Sequence, residues 1–125
     1  MSKIFAPDLL KGKVCVVSGG GTGLGRAATL ELARLGATVV ICGRRKELLD
    51  AVVAEIGASA EAQVADIRDE AAVDQMIDSV LERHGCIDVL VNNAGGQFMA
   101  PAETVTAKGF RTVLELNALG AWQMI

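Results

Sequence analysis

The stretch Ser18–Gly25, SGGGTGLG, packs five glycines into eight residues. It follows KVCVV (Lys13–Val17) and precedes RAATLELARLG (Arg26–Gly36). The short apolar run in front reads as a strand, and the apolar residues at spacings of three and four behind read as a helix. The glycines therefore form a turn from strand into helix. In a parallel sheet that turn lies at the carboxyl edge, where helix N–H groups and the helix dipole favour a phosphate. Without side chains the backbone approaches the anion closely. Gly19, Gly23 and Gly25 give S-G-x-x-x-G-x-G, which is not the ordinary G-x-G-x-x-G. It is not a P-loop either, since Arg26 and Ala27 stand where Lys and Ser or Thr would be needed. The competing reading is a flexible turn that holds nothing.

Outward from this turn, short apolar runs alternate with amphipathic ones. KVCVVS (13–18), TVVICG (38–43), AQVAD (62–66) and DVLVNN (88–93) have the length and apolar character of strands in a parallel sheet covered on both faces. The segments between them carry helical periodicity and close on Gly36, Gly57 and Gly85, as helix C-termini do. Asp66 or Asp69 is the expected cap of the third helix, which runs to His84. A fourth helical pattern extends from about Thr106 to the end. The order β-α-β-α-β-α-β-α specifies one domain with an α/β doubly wound parallel sheet.

Composition excludes other classes. The chain has 125 residues, 51% hydrophobic, and a net charge of -3, so no broad basic surface for nucleic acid is expected. The longest run without a charge, Val89–Ala102, is shorter than the roughly 18 residues of a spanning helix and contains Asn, Gly and Pro. Pro7 and Asp8 interrupt any secretory core, so export is not expected and a cytoplasmic location is. Cys15, Cys42 and Cys86 lack metal-like spacing and read as buried small hydrophobes. His84, in the last turn of the third helix, reads as a C-terminal partner of the helix dipole rather than a catalytic group.

Four motifs together resemble the short-chain dehydrogenase/reductase family. Its T-G-x-x-x-G-x-G appears as Ser18 to Gly25, with Ser in place of Thr, and its N-N-A-G as Asn92, Asn93, Ala94 and Gly95. Its D-[VIL] pair appears as Asp66 and Ile67, and its helix asparagine as Asn117 in VLELNALG. The resemblance implies that Ser18, Gly19, Gly21 and Thr22, followed by Gly23, Leu24 and Gly25, receive the dinucleotide pyrophosphate and ribose. Asp66 would accept from the adenine amino group while the Ile67 backbone contacts the ring; the alternative is Asp66 as a helix cap only. Asn93, Ala94 and Gly95 would line the cofactor, and Asn92 or Asn93 would also tie the central strands together.

Charge then reads the cofactor. NAD enzymes of this fold place an acid roughly 20 residues beyond the glycines to bind the ribose 2′-hydroxyl. Here Gly43 is followed by Arg44 and Arg45. An arginine presents fixed donors to a 2′-phosphate, so NADP(H) is expected over NAD(H), with Arg44 as the main contact. Two solvated arginines at a helix start are the alternative.

The family transfers a hydride with the help of a Ser, a Tyr and a Lys, and the chain contains no tyrosine. Of that tetrad only Asn117 is present, with the implied role of holding a water in a proton relay. The apolar fourth strand lacks the Lys or Pro that guards an edge, and Phe110, Val113, Leu114, Leu116, Leu119, Trp122 and Ile125 wrap widely around the last helix. Both features lead us to expect a chain truncated after the fourth strand and its helix, with peroxisomal targeting if a C-terminal signal follows; the resemblance then implies that residues 1–125 are the amino-terminal dinucleotide-binding portion of a single Rossmann-like domain. The resemblance implies a homodimer or homotetramer for the complete protein. The loop GGQFMAPAE (Gly95–Glu103) resembles that of trans-2-enoyl-CoA reductases, which implies acyl-CoA or another small-molecule substrate with an apolar tail beside Gln97, Phe98 and Met99. A cofactor-binding module without catalysis and a non-binding remnant are the other two classes.

Overall fold

A computed structural model describes residues 4–125. Met1 to Lys3, part of the N-terminal stretch read for a secretory signal, lie outside the described residues. Four parallel strands form one sheet in the order β3-β2-β1-β4, with β1 at Val14–Ser18, β2 at Thr38–Gly43, β3 at Ala60–Val64 and β4 at Val89–Asn92. The helices α1 (Gly23–Arg34), α2 (Lys46–Ile56) and α3 (Glu70–His84) make the crossovers. The register places Val16 between Val40 and Leu90, so the glycine turn leaves the sheet at its centre, where the strand order reverses.

The two central strands are apolar because both faces are covered. All five residues of β1 are buried, and Val17, Ile41, Leu49 and Val52 pack together on one face. The other face buries Val16, Val40, Ile67, Val73, Met76, Val80 and Met124. Each of these fully buried aliphatic chains is worth about 1.5–3 kcal/mol relative to exposure.

The third strand departs from the sequence reading. It begins at Ala60 and ends at Val64, two residues earlier than Ala62–Asp66. As an edge strand it need not be apolar throughout, and Glu61 and Gln63 alternate with apolar neighbours. Asp66 falls in the following loop, where its Oδ1 accepts the Arg68 backbone N–H at 3.0 Å and turns the chain. Asp69 is the cap of α3, accepting from the Ala72 N–H at 3.1 Å.

The fourth strand is the other edge and is only half-buried along Val89–Val91. The last helical segment runs as α4 (Ala107–Leu114), a widened π turn (Glu115–Leu119) and α5 (Gly120–Gln123). Thr106 caps it by accepting from the Gly109 N–H at 3.0 Å. Phe110, Leu114, Leu119, Trp122 and Ile125 remain exposed on it. Cys15 and Cys42 are buried as expected, but Cys86 is exposed in the turn after α3, so its reading as a buried hydrophobe is corrected. Gly85 ends α3 there in the left-handed conformation, carrying the chain out to the surface before β4 begins. His84 pairs with Glu61 across to β3. Among the described residues no helix is long and apolar enough to cross a membrane.

Candidate functional site

A cavity of about 400 Å³ opens at the carboxyl edge of the sheet. Its floor is the glycine turn, which the sequence builds by removing side chains where the backbone must pass closely. A Cβ on Gly25 would stand 2.1 Å from the Gly19 carbonyl oxygen and 2.4 Å from Asn93 Nδ2. Gly25 thus seats α1 against the end of β1 and β4, and Thr29 Oγ1 donates to its carbonyl at 2.8 Å.

A second link runs beneath the turn. Ser18 Oγ, fully buried, accepts the N–H groups of Asn93 at 3.1 Å and Ala94 at 3.0 Å, and Asn93 Nδ2 donates to the carbonyls of Ser18 and Gly19, each at 3.2 Å. Of the two asparagines expected to tie the central strands, Asn93 joins β1 to the end of β4. Asn92 instead reaches the Ala121 carbonyl at 3.2 Å.

The open side of the turn carries unsatisfied donors. Among the described residues, the N–H groups from Gly21 through Gly25 find no acceptor within the chain. They point from the start of α1, where the dipole is positive. Arg44 and Arg45 follow β2 on the cavity rim, and neither guanidinium has a hydrogen-bond or ion-pair partner among the described residues. Unpaired charges here contrast with Arg26, Arg34, Lys46, Arg68 and Arg83, which all have carboxylate partners.

The opposite wall is Ala65, Asp66 and Ile67. Arg68 holds the Asp66 carboxylate through Nη2 at 2.7 Å and Nε at 3.0 Å. That bond pulls the Asp66 pKa down to about 2 against the opposing effect of burial, assisted by the Arg68 N–H and the Arg44 charge. Asp66 is therefore an acceptor at every physiological pH. Cys42, also in the wall, is pushed up to about 12 by burial and is an inert apolar surface.

Of the residues singled out from sequence, the cavity brings together Gly19, Gly21, Thr22, Gly23 and Leu24 with Arg44, Arg45, Asp66, Ile67, Asn93, Ala94 and Gly95. Ser18 and Gly25 lie under it as supports. Asn117 does not line it. Its Nδ2 donates to the carbonyls of Gly96 at 2.7 Å and Val113 at 2.8 Å, and its Oδ1 accepts the Gly96 N–H at 3.2 Å. It sits inside the π turn, fastening the strand-end loop to the helix.

Sequence reasoning missed Leu48, Leu49, Ala65 and Leu116, which supply the apolar wall, and Gly20, whose Cβ would lie 2.6 Å from Ile41 Cγ2. The periodicity of α2 marks Leu48 and Leu49 as apolar but does not say that Leu48 turns to the cavity. Fit of a dinucleotide rests on this donor set: free N–H groups for a pyrophosphate, unpaired guanidiniums at the rim, an ionised acceptor and an apolar slot between them.

Known proteins are similar to this chain in sequence and fold. A sequence model described as short chain dehydrogenase matches residues 13–125. The peroxisomal 2,4-dienoyl-CoA reductase of Arabidopsis thaliana is 35% identical over 127 residues, covering 99% of this chain and 43% of its own length. The 3-ketoacyl-(acyl-carrier-protein) reductase of Brucella melitensis, solved with NADH, superposes with a TM-score of 0.87 at 37% identity, over 92% of this chain and 48% of that one. The closed form of a serine dehydrogenase solved with NADP+ gives 0.83 at 31% identity, over 89% and 45%. The chain thus spans less than half the length of these relatives. With the glycine turn, the Asn93 link and the matched sequence model in agreement, the chain belongs to the short chain dehydrogenase family.

Proposed function

We propose that this chain is the cofactor-binding half of an NADP(H)-dependent oxidoreductase that moves a hydride between the nicotinamide and a carbonyl, an alcohol or an enoyl thioester. The observation that carries the NADP(H) assignment is the pair Arg44 and Arg45, unpaired on the cavity rim directly after β2. Arg44 takes the 2′-phosphate as a fixed fork of donors, and no carboxylate stands at Gly43 to repel it.

The bound dinucleotide would supply the hydride. The chain's own residues bind and orient it: the N–H groups of Gly21 to Gly25 hold the pyrophosphate, Asp66 accepts from the adenine amino group, and Asn93 fixes the loop of Ala94 and Gly95. Asn117 keeps the Gly96 loop in place. The 125 residues offer no tyrosine phenol as acid. Reduction therefore needs groups that these residues do not supply, and the chain by itself binds without turnover.

Several relatives are named as dienoyl-CoA reductases, which supports an acyl-CoA class of substrate beside Gln97, Phe98 and Met99. The exposed apolar face of α4 and α5 supports assembly into a homodimer or homotetramer in the complete protein. We place it in the cytoplasm, or in the peroxisome if a targeting signal follows. The test of the cofactor reading is Arg44→Asp. It should weaken NADPH by at least tenfold and leave NADH within about twofold, since a charge-assisted bond is worth about 1.5–3 kcal/mol. Equal losses for both cofactors would overturn it.

A further inference from the structure

The loop that forms the adenine-side wall has few anchors of its own. Ala65 N–H donates to Gly43 O at 2.9 Å, Asp66 turns the chain through the Arg68 N–H, and α3 starts at Glu70. Between these points the Ile67 carbonyl is held from outside the loop, by Gln123 Nε2 at 2.7 Å. The Ile67 side chain, 4% exposed, lies on Gly120: a Cβ there would stand 2.7 Å from both Ile67 Cδ1 and Cγ1. Met124 is buried in the same cluster as Ala65 and Ile67, and Asn92 holds the Ala121 carbonyl so that α5 stays on the sheet. Gly120 and Gln123 of α5, with Met124 directly after it, thus bear on one loop.

We infer that Gln123 and Gly120 are positioning residues for the adenosine half of the cofactor: they set where Ile67 and Asp66 stand in the cavity. This rests on the nucleotide-binding reading above. Gln123 touches no part of the cavity itself. Its amide fixes the carbonyl of a cavity residue, and Gly120 leaves the space that lets the Ile67 side chain withdraw from the cavity. The same helix presents Trp122 and Ile125 to solvent at 72% and 85% exposure, so whatever covers that outer face also bears on the adenine wall.

The experiment titrates adenosine 2′,5′-bisphosphate, which carries the adenine and the 2′-phosphate without the nicotinamide, into the wild type and four variants. Gln123→Leu should weaken it roughly fivefold, the worth of one hydrogen bond. Gln123→Lys, which keeps an N–H donor of similar reach, should recover most of that loss. Gly120→Ala, which drives Ile67 toward the cavity while favouring helix, should also weaken binding several-fold. Thr106→Ala, which removes the cap of α4 far from Ile67, serves as the control for helix stability and should bind as wild type. Wild-type affinity in both Gln123→Leu and Gly120→Ala would overturn the inference, as would an equal loss in Thr106→Ala. If the wild type binds no bisphosphate, the nucleotide reading itself fails and this inference falls with it.

Discussion

Ser18 Oγ accepts two consecutive backbone N–H groups, those of Asn93 and Ala94, so one buried hydroxyl closes the seam between β1 and the loop after β4. Ser18→Ala leaves the Ala94 N–H without an acceptor and the Asn93 N–H with the Val91 carbonyl alone, at 3.0 Å. Such an orphan costs about 1–3 kcal/mol. We expect a lower urea midpoint with an unchanged slope. An unaltered midpoint would show that water or a local shift replaces the hydroxyl.

Two glycines of the turn should respond very differently to the same methyl group. Gly25→Ala puts a Cβ 2.1 Å from a backbone oxygen that cannot move without moving β1, so α1 must lift and the variant should lose more than about 3 kcal/mol or fail to fold. Gly23→Ala meets nothing within 4 Å and bears only the strain of φ +54°. Its cost is about 1–2 kcal/mol. Thermal unfolding of the two variants checks the order, and a larger loss at Gly23 would contradict this account of the turn.

Gly43 marks the place where an acid would read a 2′-hydroxyl. A Cβ fits there, with Leu49 Cδ2 at 3.6 Å the nearest atom. Gly43→Asp should therefore fold and should shift the ratio of NADPH to NADH affinity at least tenfold toward NADH. An unchanged ratio in a competition titration would mean that β2 does not end at the ribose.

The pH dependence follows from Asp66. Its pKa is lowered from 3.8 to about 2, first by the Arg68 side chain, so the folded state favours the carboxylate. The stabilisation is fully present above the ordinary value of 3.8 and is lost as pH falls toward 2. Asp88 is also lowered, by the Val14 N–H and Lys13, so the wild type has more than one acid-sensitive group. Subtracting the unfolding profile of Asp66→Asn isolates the first. The variant should show a shallower fall across that window, and parallel profiles would remove the Arg68 bond as a stabilising contact.

Much of the fold is legible because its determinants are local. Apolar runs of strand length, helical spacing and the glycines that close α1, α2 and α3 lie next to one another in the chain. The third strand was harder, since an edge strand tolerates Glu61 and Gln63 and no periodicity marks its ends. The glycine turn and the loop Asn93 to Gly95 were legible through motif spacing. Asn117 was legible as a residue but not in its contacts: its side-chain bonds to Gly96 and Val113 arise from a π turn that sequence spacing does not encode. Gln123 carried no signal at all, because its partner Ile67 is 56 residues away and the bond goes to a backbone carbonyl.

We propose that the cavity behind the glycine turn receives NADP(H) through the arginines after β2. Calorimetric titration of the 125-residue chain with NADPH and with NADH, each at low and high salt, tests it most directly. NADPH should bind more tightly than NADH, with an advantage that shrinks as salt screens the arginine contact. Equal affinities at both salt concentrations, or tighter binding of NADH, would contradict it.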